Sequence, residues 1–539
     1  MTTDRLEGEP REAPLCATLQ EACERWESRP AITFGATTIT YGALWRRVVS
    51  LAAGYERLGI GRCDRVLCQF RNCPEHVIAI AAAWMRGAVH VGADNDLTGA
   101  ELARLAQRLG AAALLFQPAR DRTDGLAPLG VVAVECPRAH VVVHAPAAGA
   151  GELGGADAGT HHSLERLIAE GGSASAECQG PLDTAVLFLT SGTTGEPKAI
   201  VESRSAHWAK MQLFADGFLP GPDDVHLLYL PISHVFGFRL ALLTLLRGGR
   251  LVLLERFSPA RALELVQEER VTVLPGVPAH LRLLRESYDP ARHDVGSLRW
   301  VLSAAAGLPR ELAEWVYEAL DARIMFVYGC SEGFTTLTNA PADILAGSVG
   351  NTVFRGPPGT PAAGTVRILE PGTGAALPTG ETGEIAFGAV MPVTYWDHPE
   401  VAADGWYRTG DLGHLDEAGR VYVTGRLKEL INRGGLHVSI AEVEMALARD
   451  PAVTDAAVIA VPDPVMGEAV CACIVPAGDT PVSLAELRSF LSEHLARHKL
   501  PDELCVLEAI PRTDIGKVDR RSLSARVLSG GVARQRARD

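Results

Sequence analysis

Residues 187–200 read LFLTSGTTGEPKAI, an apolar run that stops abruptly at small hydroxylated residues and glycines before one lysine. The letters TAVLFLT at 184–190 are typical of a buried β-strand. Successive backbone N–H groups in a glycine-rich turn form a concave anion site, because no large side chain shields them. The hydroxyls can donate to phosphate oxygens, and a lysine adds a compact positive charge. The stretch predicts a strand followed by a polyphosphate-binding loop, with these candidate residues: Thr190, Ser191, Gly192, Thr193, Thr194, Gly195 and Lys198.

Two other interpretations of this stretch are a P-loop and an ordinary surface turn. A P-loop has the pattern G-x-x-x-x-G-K-[ST]. Here Lys198 follows Pro197 and precedes Ala199, so that motif is excluded. An ordinary surface turn is compatible with the stretch taken by itself. The choice between a turn and a phosphate loop therefore depends on the rest of the chain.

Length and charge narrow the class of protein. A single hydrophobic core stops growing near roughly 250–300 residues, so a chain of 539 residues predicts at least two domains. The net charge of −14 argues against an extended nucleic-acid surface, which needs a basic stripe. The best apolar segment, at 76–89, is interrupted by Arg86, so we expect no membrane span. We expect a monomer or a homodimer.

The cysteines raise the question of a metal site. The chain has 11 of them, and Cys63, Cys68 and Cys73 are evenly spaced. Zinc sites usually have closer ligand spacing, and Cys68 lies in an apparent buried strand, where a free thiol behaves as a small apolar group. We therefore favour packing over zinc here. Reduced thiols and the absence of a signal peptide predict a cytoplasmic location.

Strand and helix patterns alternate over much of the chain before residue 330. A hairpin is predicted at 31–42, a helix at 43–58, and strand–helix alternation from 65 to 116 and from 184 to 330. Such alternation is typical of parallel sheets covered by helices. Residues 145–180 are rich in Gly, Ala and Ser, which predicts a loose surface connection.

The pattern changes after residue 360. Short strands with turn residues predict a mostly antiparallel subdomain over about 360–424. The residues after Gly425 predict a compact α+β module of about 110 residues, a reasonable size for a separate domain. The fold class expected is α/β, with a large N-terminal domain at 1–425 that includes a small antiparallel β subdomain, and a small α+β domain at 426–539.

The phosphate-loop stretch resembles that of the adenylate-forming superfamily, which comprises acyl- and aryl-CoA synthetases, adenylation domains of peptide synthetases, and luciferases. Seven further motifs occur in the family's order and run almost to the C-terminus: LPISHVFGF at 230, SAAAGLP at 303, YGCSEG at 328, TGEIAF at 382, GWYRTGDLG at 405, GRLKELINRGG at 425 and PRTDIGKVDR at 511. Chance agreement across eight ordered motifs is negligible. The resemblance implies that the C-terminal domain is mobile.

The resemblance implies a reaction in two halves. A carboxylate attacks the α-phosphate of ATP to give acyl-AMP and pyrophosphate, and a thiol then displaces AMP. The first half brings two anions together, so the site must supply positive charge. Lys517 resembles the family's catalytic lysine, and Glu332 resembles its Mg²⁺-binding acid, for which one carboxylate plus phosphate oxygens suffices.

The resemblance also implies the nucleotide contacts. Tyr328 would lie against adenine, Asp411 would accept bonds from both ribose hydroxyls, and Arg426 would add a contact at the domain junction. Ser331 stands where the family usually has Thr, which keeps the hydroxyl. The adenine-lining segment contains Ala305, Ala306 and Gly307, where the family often has a glycine-rich variant of equally small size.

The acid pocket is implied by the segment around His234, which matches the family's pocket histidine near the carboxylate. Amino-acid-activating members place an aspartate two residues later, whereas Phe236 stands here, and an unpaired ammonium would be costly. We therefore exclude α-amino acids and expect an aryl or apolar acyl acid. Arg239 is either solvated or paired, or it faces a second acidic group. The expected wall is Val235, Phe236, Phe238, Ser303, Ala304, Cys330 and Gly333.

The acceptor thiol must come from outside, because no phosphopantetheine attachment sequence is present. Coenzyme A is expected, with a separate phosphopantetheinyl carrier protein as the alternative. Lys428 matches the family's hinge position, and Gly434 and Gly435 would approach the thiol tunnel. A luciferase-like oxygenase has no support in the sequence. A non-catalytic sensor is disfavoured, because a binder needs no catalytic lysine.

Overall fold

The structure is a computed structural model. It describes residues 15–95, 97–118, 127–145, 161–174, 176–177, 180, 182–190, 198–217, 220–351, 366–388, 394–397, 406–433, 436–478, 481–513 and 516–536.

The helices of the described residues are as follows: α1 Leu15–Arg25, α2 Tyr41–Arg57, α3 Pro74–Met85, α4 Gly99–Leu109, α5 Ala127–Glu135, α6 Leu164–Ala169, α7 Arg204–Gly217, α8 Val235–Leu246, α9 Pro259–Glu268, α10 Pro278–Ser287, α11 Arg310–Ala319, α12 Pro341–Leu345, α13 Ile440–Leu447, α14 Leu484–Leu491 and α15 Arg520–Leu528.

The strands up to residue 338 are β1 Pro30–Phe34, β2 Thr37–Thr40, β3 Arg65–Gln69, β4 Val89–Gly92, β5 Ala111–Phe116, β6 His140–Val143, β7 His161–Ser163, β8 Thr184–Thr190, β9 Lys198–Ser203, β10 Val225–Leu228, β11 Arg250–Leu253, β12 Val273–Gly276, β13 Trp300–Ala304, β14 Arg323–Cys330 and β15 Gly333–Thr338. The later strands are β16 Val366–Leu369, β17 Gly383–Gly388, β18 Thr394–Tyr395, β19 Trp406–Leu415, β20 Val421–Arg426, β21 Leu430–Arg433, β22 Leu436–Ser439, β23 Val453–Asp463, β24 Gly467–Pro476, β25 Glu503–Val506 and β26 Arg534–Arg536.

Two large sheets form the body of the molecule. In the described residues each has eight strands: sheet A has the order β15-β14-β13-β12-β10-β11-β1-β2, and sheet B has the order β18-β9-β8-β4-β3-β5-β6-β7. The central pairs are parallel. Antiparallel strands close both edges of sheet A and the β18–β9 edge of sheet B, whereas β7 closes the other edge of sheet B in parallel. The predicted strand–helix alternation and the hairpin at 31–42 are therefore confirmed.

The main hydrophobic core lies between the two sheets. It combines Val66 and Cys68 of sheet B with Leu251 and Val301 of sheet A, whereas Leu67 belongs to the core on the other side of sheet B. Every residue of helix α3 except Glu75 is buried. A helix that is apolar on all sides must be covered on all sides, which explains its place within this core.

The remaining sheets are smaller. Sheet C is antiparallel with the order β16-β17-β19-β20, and the C-terminal sheet D contains β21 to β26. Sheet C confirms the predicted antiparallel subdomain. Among the helices of the described residues, none is long and apolar enough to cross a bilayer.

The expectation of a loose connection at 145–180 is wrong in part. Residues 161–163 form β7, which pairs in parallel with β6, and residues 164–169 form α6, capped by the Ser163 side chain. Leu164 and Leu167 of this helix are buried. A segment this short carries too few apolar repeats for its period to be recognised, so tertiary contact decided its structure. Residues 146–160 lie outside the described part.

Gly92 is the last residue of β4 in sheet B. Because it has no side chain, the segment between β10 of sheet A and helix α8 can lie directly against it. A Cβ built on Gly92 would lie 2.7 Å from the Ser233 carbonyl oxygen and 2.8 Å from its Cα. Real Cβ atoms do not approach backbone this closely, so only glycine fits there. The close contact fixes where the Ser233–His234 segment lies.

We predict that Gly92→Ala destabilises the protein by about 1–3 kcal/mol, because overpacking displaces backbone. The measurement is the thermal unfolding midpoint. Gly478→Ala is the matched control, since no atom lies within 4 Å of a Cβ built there. If Gly92→Ala has the same unfolding midpoint as the unchanged protein, the Ser233 backbone does not lie as close to position 92 as described.

Candidate active site

The end of β8 and the start of β9 flank the predicted phosphate loop. Thr190 pairs with Lys198 in the antiparallel register, and residues 191–197, which include Ser191, Gly192, Thr193, Thr194 and Gly195, lie outside the described part. The Lys198 ammonium lies 5.2 Å from the ring centroid of Tyr395, a cation–π distance. The structure thus fixes both ends of the loop and leaves its phosphate role a prediction.

Glu332 lies in the turn between β14 and β15 and is held at two points. The Tyr395 hydroxyl donates to Glu332 Oε1 at 2.7 Å, and Lys210 Nζ donates to the Glu332 backbone carbonyl at 2.7 Å. Tyr395 reaches this place because the short strand β18 pairs with β9. The same tyrosine therefore contacts both Lys198 and Glu332, and it joins the phosphate strand to the predicted metal-binding acid.

A buried ionic network lies behind this turn. Lys210 Nζ and Arg239 Nη2 donate to Glu202 Oε1 at 2.8 and 2.7 Å, and His207 Nδ1 lies 2.8 Å from Glu202 Oε2. Glu202 and His207 are 0% exposed. Burial opposes ionisation of Glu202, but Lys210, Arg239 and His207 outweigh it, so the pKa of this carboxyl lies below its ordinary value. The network joins β9, α7 and α8 as charged partners.

Of the alternatives that the sequence left open for Arg239, the structure shows the paired one. Its side chain is 1% exposed and paired with Glu202, so it is neither solvated nor free at a pocket surface. Phe238 beside it is also 1% exposed, and its ring contacts Phe188 at a centroid distance of 5.2 Å. The structure places Phe238 among core side chains, behind the segment that carries His234.

Asp411 lies on β19, directly opposite Arg426 of β20. The Arg426 Nε donates to Asp411 Oδ1 at 2.6 Å, and the Tyr328 hydroxyl donates to Oδ2 at 2.7 Å. Each carboxylate oxygen has two lone pairs, so both retain capacity for a further donor. Tyr328, predicted to lie against adenine, is thus also the residue that orients Asp411.

Lys517 lies near the same carboxylate. Desolvation and the Arg426 guanidinium lower the pKa of Lys517, while the Asp411 and Glu429 carboxylates act in the opposite direction. The lysine also acts electrostatically on His234. Although Lys517 follows Arg426 by about 90 residues along the chain, the fold brings the two cations together beside Asp411.

The C-terminal domain is held in this position by contacts with α10. Arg282 of α10 donates to Asp455 at 2.7 Å, and Arg512 donates to both oxygens of the same carboxylate at 2.8 Å. Gly516 has a φ of +75°, and a Cβ there would lie 2.8 Å from Val277. These contacts place the Lys517 segment against the body of the enzyme.

His234 is the N-cap residue of α8, and its backbone carbonyl accepts the first helical bond from Phe238. Burial lowers the pKa of His234, and Lys517 adds to the effect, while Asp94 opposes it. The imidazole is therefore mainly neutral at pH 7. Val235 and Phe236 follow it and are half-buried. This side of the predicted acid pocket is apolar apart from the histidine.

The segment after β13 makes a sharp turn. Ser303 and Ala304 end the strand and are buried, whereas Ala305, Ala306 and Gly307 are exposed. Ala305 has a φ of +72°, a left-handed conformation that non-glycine residues adopt at a cost. An exposed, strained backbone of small residues is compatible with close approach of a flat ring.

Cys330, Ser331 and Gly333 surround Glu332 along the same turn. The Cys330 thiol donates to the Gly333 carbonyl at 3.7 Å, and burial raises the pKa of Cys330. A Cβ on Gly333 would lie 2.6 Å from the Phe387 ring, so glycine is needed for sheet C to pack here. Ser331 is half-buried.

The hinge and tunnel predictions remain predictions. Lys428 lies in a 3-10 helix at Leu427–Glu429, but its side chain is outside the described part, as are Gly434 and Gly435.

Sequence reasoning missed Tyr395, Lys210 and Glu202. Tyr395 is separated from Glu332 by 63 positions, and Lys210 by 122. None of the three belongs to a motif whose spacing carries chemistry, so no local signal could have assigned them. Their roles depend on strand pairing and helix packing.

The donor set around Glu332 fits a magnesium ion. Mg²⁺ prefers hard oxygen ligands and needs one or two carboxylates plus phosphate oxygens and water. The Glu332 carboxylate offers oxygen, lies in a polar setting with Tyr395, and is close to the strand that carries Lys198. A magnesium nucleotide would bind there.

Comparison with known proteins identifies the class. Residues 19–391 match the family of AMP-binding enzymes, and residues 442–517 match the AMP-binding enzyme C-terminal domain. The chain therefore belongs to the adenylate-forming superfamily of AMP-binding enzymes and is an AMP-forming acid–thiol ligase. A domain boundary at 425/426 stays a prediction.

Individual relatives match over nearly the whole chain. Triostin synthetase I of Streptomyces triostinicus is 33% identical, covering 96% of this chain and 95% of that protein. The 2-hydroxy-7-methoxy-5-methyl-1-naphthoate–CoA ligase of Streptomyces carzinostaticus is 32% identical, covering 94% and 92%. The crystal structure of ATP-bound MatB from Rhodopseudomonas palustris superposes with a TM-score of 0.81 at 28% identity, covering 95% and 98%.

We predict that Lys210→Met raises the Mg²⁺ concentration needed for half-maximal acid-dependent pyrophosphate release by about tenfold, since supporting contacts to metal ligands typically contribute this much. Glu332→Gln should shift the same quantity in the same direction.

Lys210→Met leaves Glu202 paired with Arg239, so no uncompensated buried charge remains and the variant should stay folded. Lys499→Met is the matched control, because Lys499 pairs with Glu442 in the C-terminal domain, and it should leave the Mg²⁺ dependence unchanged. A folded Lys210→Met variant with the Mg²⁺ dependence of the unchanged protein would show that Lys210 does not support Glu332.

Proposed function

We propose that this enzyme activates an aryl or apolar acyl carboxylic acid, but not an α-amino acid, and transfers it to coenzyme A. In the first half-reaction the carboxylate oxygen attacks the α-phosphorus of ATP, and pyrophosphate leaves. In the second half-reaction the thiol sulfur attacks the acyl carbon of acyl-AMP, AMP leaves, and the thiol proton is lost. The observation that carries this proposal is that Lys517 is close enough to the hydrogen-bonded Asp411–Arg426 pair and to His234 to act electrostatically with all three.

The proposed role of Lys517 follows from its neighbours. In this proposal its ammonium would lie between the carboxylate and the α-phosphate, and a charge at that point would stabilise the developing negative charge. Desolvation by neighbouring groups lowers the pKa of Lys517, but the residue is exposed, so its field would strengthen only when bound substrates exclude water from it. Asp411 would accept the ribose hydroxyls through the lone pairs that Tyr328 and Arg426 leave.

The other groups would bind and orient. Glu332 would hold Mg²⁺, which neutralises phosphate charge when it is bound. In the phosphate loop at 190–198, the backbone N–H groups and the side-chain hydroxyls would donate hydrogen bonds to the oxygens of the β- and γ-phosphates. His234, neutral at pH 7, would donate a hydrogen bond to the acid's carboxylate without forming an ion pair that resists transfer.

The proposed substrate class follows from the segment after His234. Val235 and Phe236 are apolar, and Arg239, the nearest cation on α8, is already paired with the buried Glu202. Neither an ammonium nor a second carboxylate would find a partner there, and an unpaired buried charge is costly. The naphthoate–CoA ligase among the relatives supports an aromatic acid. Coenzyme A as acceptor and a cytoplasmic location belong to the same proposal.

The test is a panel of carboxylic acids scored by acid-dependent pyrophosphate release. Aryl and apolar acyl acids should be productive, and α-amino acids should not. The best acid is then assayed for thioester formation with coenzyme A and with phosphopantetheinylated carrier proteins. A productive α-amino acid would overturn the substrate class, and thioester formed only on a carrier protein would replace coenzyme A by the alternative acceptor.

We predict that Lys517→Ala lowers the rate of acyl-AMP formation by about 10²–10³-fold, the usual effect of removing one group that stabilises a transition state. Transfer from preformed acyl-AMP to the thiol should be largely unchanged. The alkaline decline of adenylation should lie below the range of an ordinary lysine, because the ammonium is lost as pH rises through a lowered pKa. Both half-reactions are measured separately.

Lys499→Ala is the matched control, because Lys499 pairs with Glu442 in the C-terminal domain. It should leave both half-reactions unchanged. Retention of both half-reactions in Lys517→Ala would remove this lysine from the mechanism.

A further inference from the structure

Three cysteines of the C-terminal domain meet on one face of sheet D. Cys471 and Cys473 lie two residues apart on β24, so their side chains point to the same face. Cys505 lies on β25 and pairs directly with Cys473 in the parallel register. The pairing places the three thiols at neighbouring positions of the same sheet surface.

The distances between the thiols are short. The sulfur atoms of Cys471 and Cys505 are 3.7 Å apart, and all three sulfurs lie within 4.8 Å of one another. Sulfur ligands at a Zn–S distance of about 2.3 Å in tetrahedral coordination lie about 3.8 Å apart. The cluster thus has almost the spacing of a metal-bound thiolate set before any metal enters.

The buried, apolar surroundings of the three thiols are suited to a soft metal cation. All three cysteines are 0% exposed and lie in a core with Leu523 and Val527 of α15. A dry, sulfur-only environment favours thiophilic ions over Mg²⁺ or Ca²⁺, which need oxygen ligands. Without a metal the thiols pack as small apolar groups, so the domain folds in either condition.

Short elements separate the cluster from the surface. Cys505 is opposite Arg534 of β26, a three-residue strand, and the nine-residue helix α15 packs Leu523 and Val527 into the same core. Short elements with few buried contacts open locally at low free-energy cost. We therefore expect a small ion to reach the thiols by local opening, with no global unfolding.

We propose that Cys471, Cys473 and Cys505 form a three-thiolate binding site for a soft, thiophilic metal ion. The site is separate from the Mg²⁺-nucleotide site and does not depend on the proposed substrate. Binding replaces thiol protons by the metal, with protons released to solvent. The site lies beneath α15, which begins three residues after Lys517 and is capped by Asp519.

The test uses the full-length, reduced enzyme titrated with Cd²⁺ alone. We expect about one Cd²⁺ per chain, an ultraviolet thiolate-to-metal charge-transfer band, and proton release in weak buffer. Cys471→Ser combined with Cys505→Ser should abolish the band and weaken binding by about tenfold or more. Cys63→Ser is the matched control, because Cys63 is exposed and outside the cluster.

A measurement on the unchanged protein guards against variants that fail to fold. X-ray absorption of the Cd²⁺-loaded enzyme should count three sulfur neighbours around the metal. Oxygen and nitrogen neighbours in place of sulfur, or a charge-transfer band that disappears with Cys63→Ser and persists in the double variant, would overturn the proposal.

Discussion

The Asp411 carboxylate is the contact on which the arrangement of the site depends. It is 5% exposed, and it accepts from Tyr328 of sheet A and from Arg426, the last residue of sheet C. One anion therefore joins the large domain, the small sheet and the point where the chain turns into the C-terminal domain. The Arg426 side chain is 52% exposed, so solvent screens the pair, and its main effect is to orient the Asp411 carboxylate.

The same pair controls the electrostatics around Lys517. Arg426 repels the lysine ammonium while Asp411 attracts it, so the lysine carries its charge in a setting where that charge is costly. A nucleotide with its triphosphate would relieve this cost. In the proposed mechanism this positive field would be in place before the substrates arrive, and a preorganised charge lowers the barrier between two anions.

A second group of charges supports the turn that carries Glu332. Glu202 binds Lys210 and Arg239, and Lys210 in turn holds the carbonyl of Glu332. Buried ionic groups of this kind are weak evidence for stability, because desolvation offsets their attraction. Their value lies in geometry: Glu332 is held by Lys210 on its backbone and by Tyr395 on its carboxylate, so the turn that carries it has little freedom.

The sequence by itself determined the class of protein, the α/β body, the antiparallel subdomain and the terminal α+β module, because apolar periodicity and glycine-rich turns are local properties. Ordered motifs likewise indicated Asp411, Glu332 and Lys517 as candidate residues. It did not predict α8, whose letters VFGFRLALLTLL are almost uniformly apolar and show no helical period, nor α6, which is too short. Only the tertiary structure decided that Arg239 pairs with Glu202, that Phe238 is a core residue, and that Tyr395 reaches Glu332. These contacts join residues 37 to 63 positions apart or more, and no local pattern encodes a distance that only strand pairing and helix packing create.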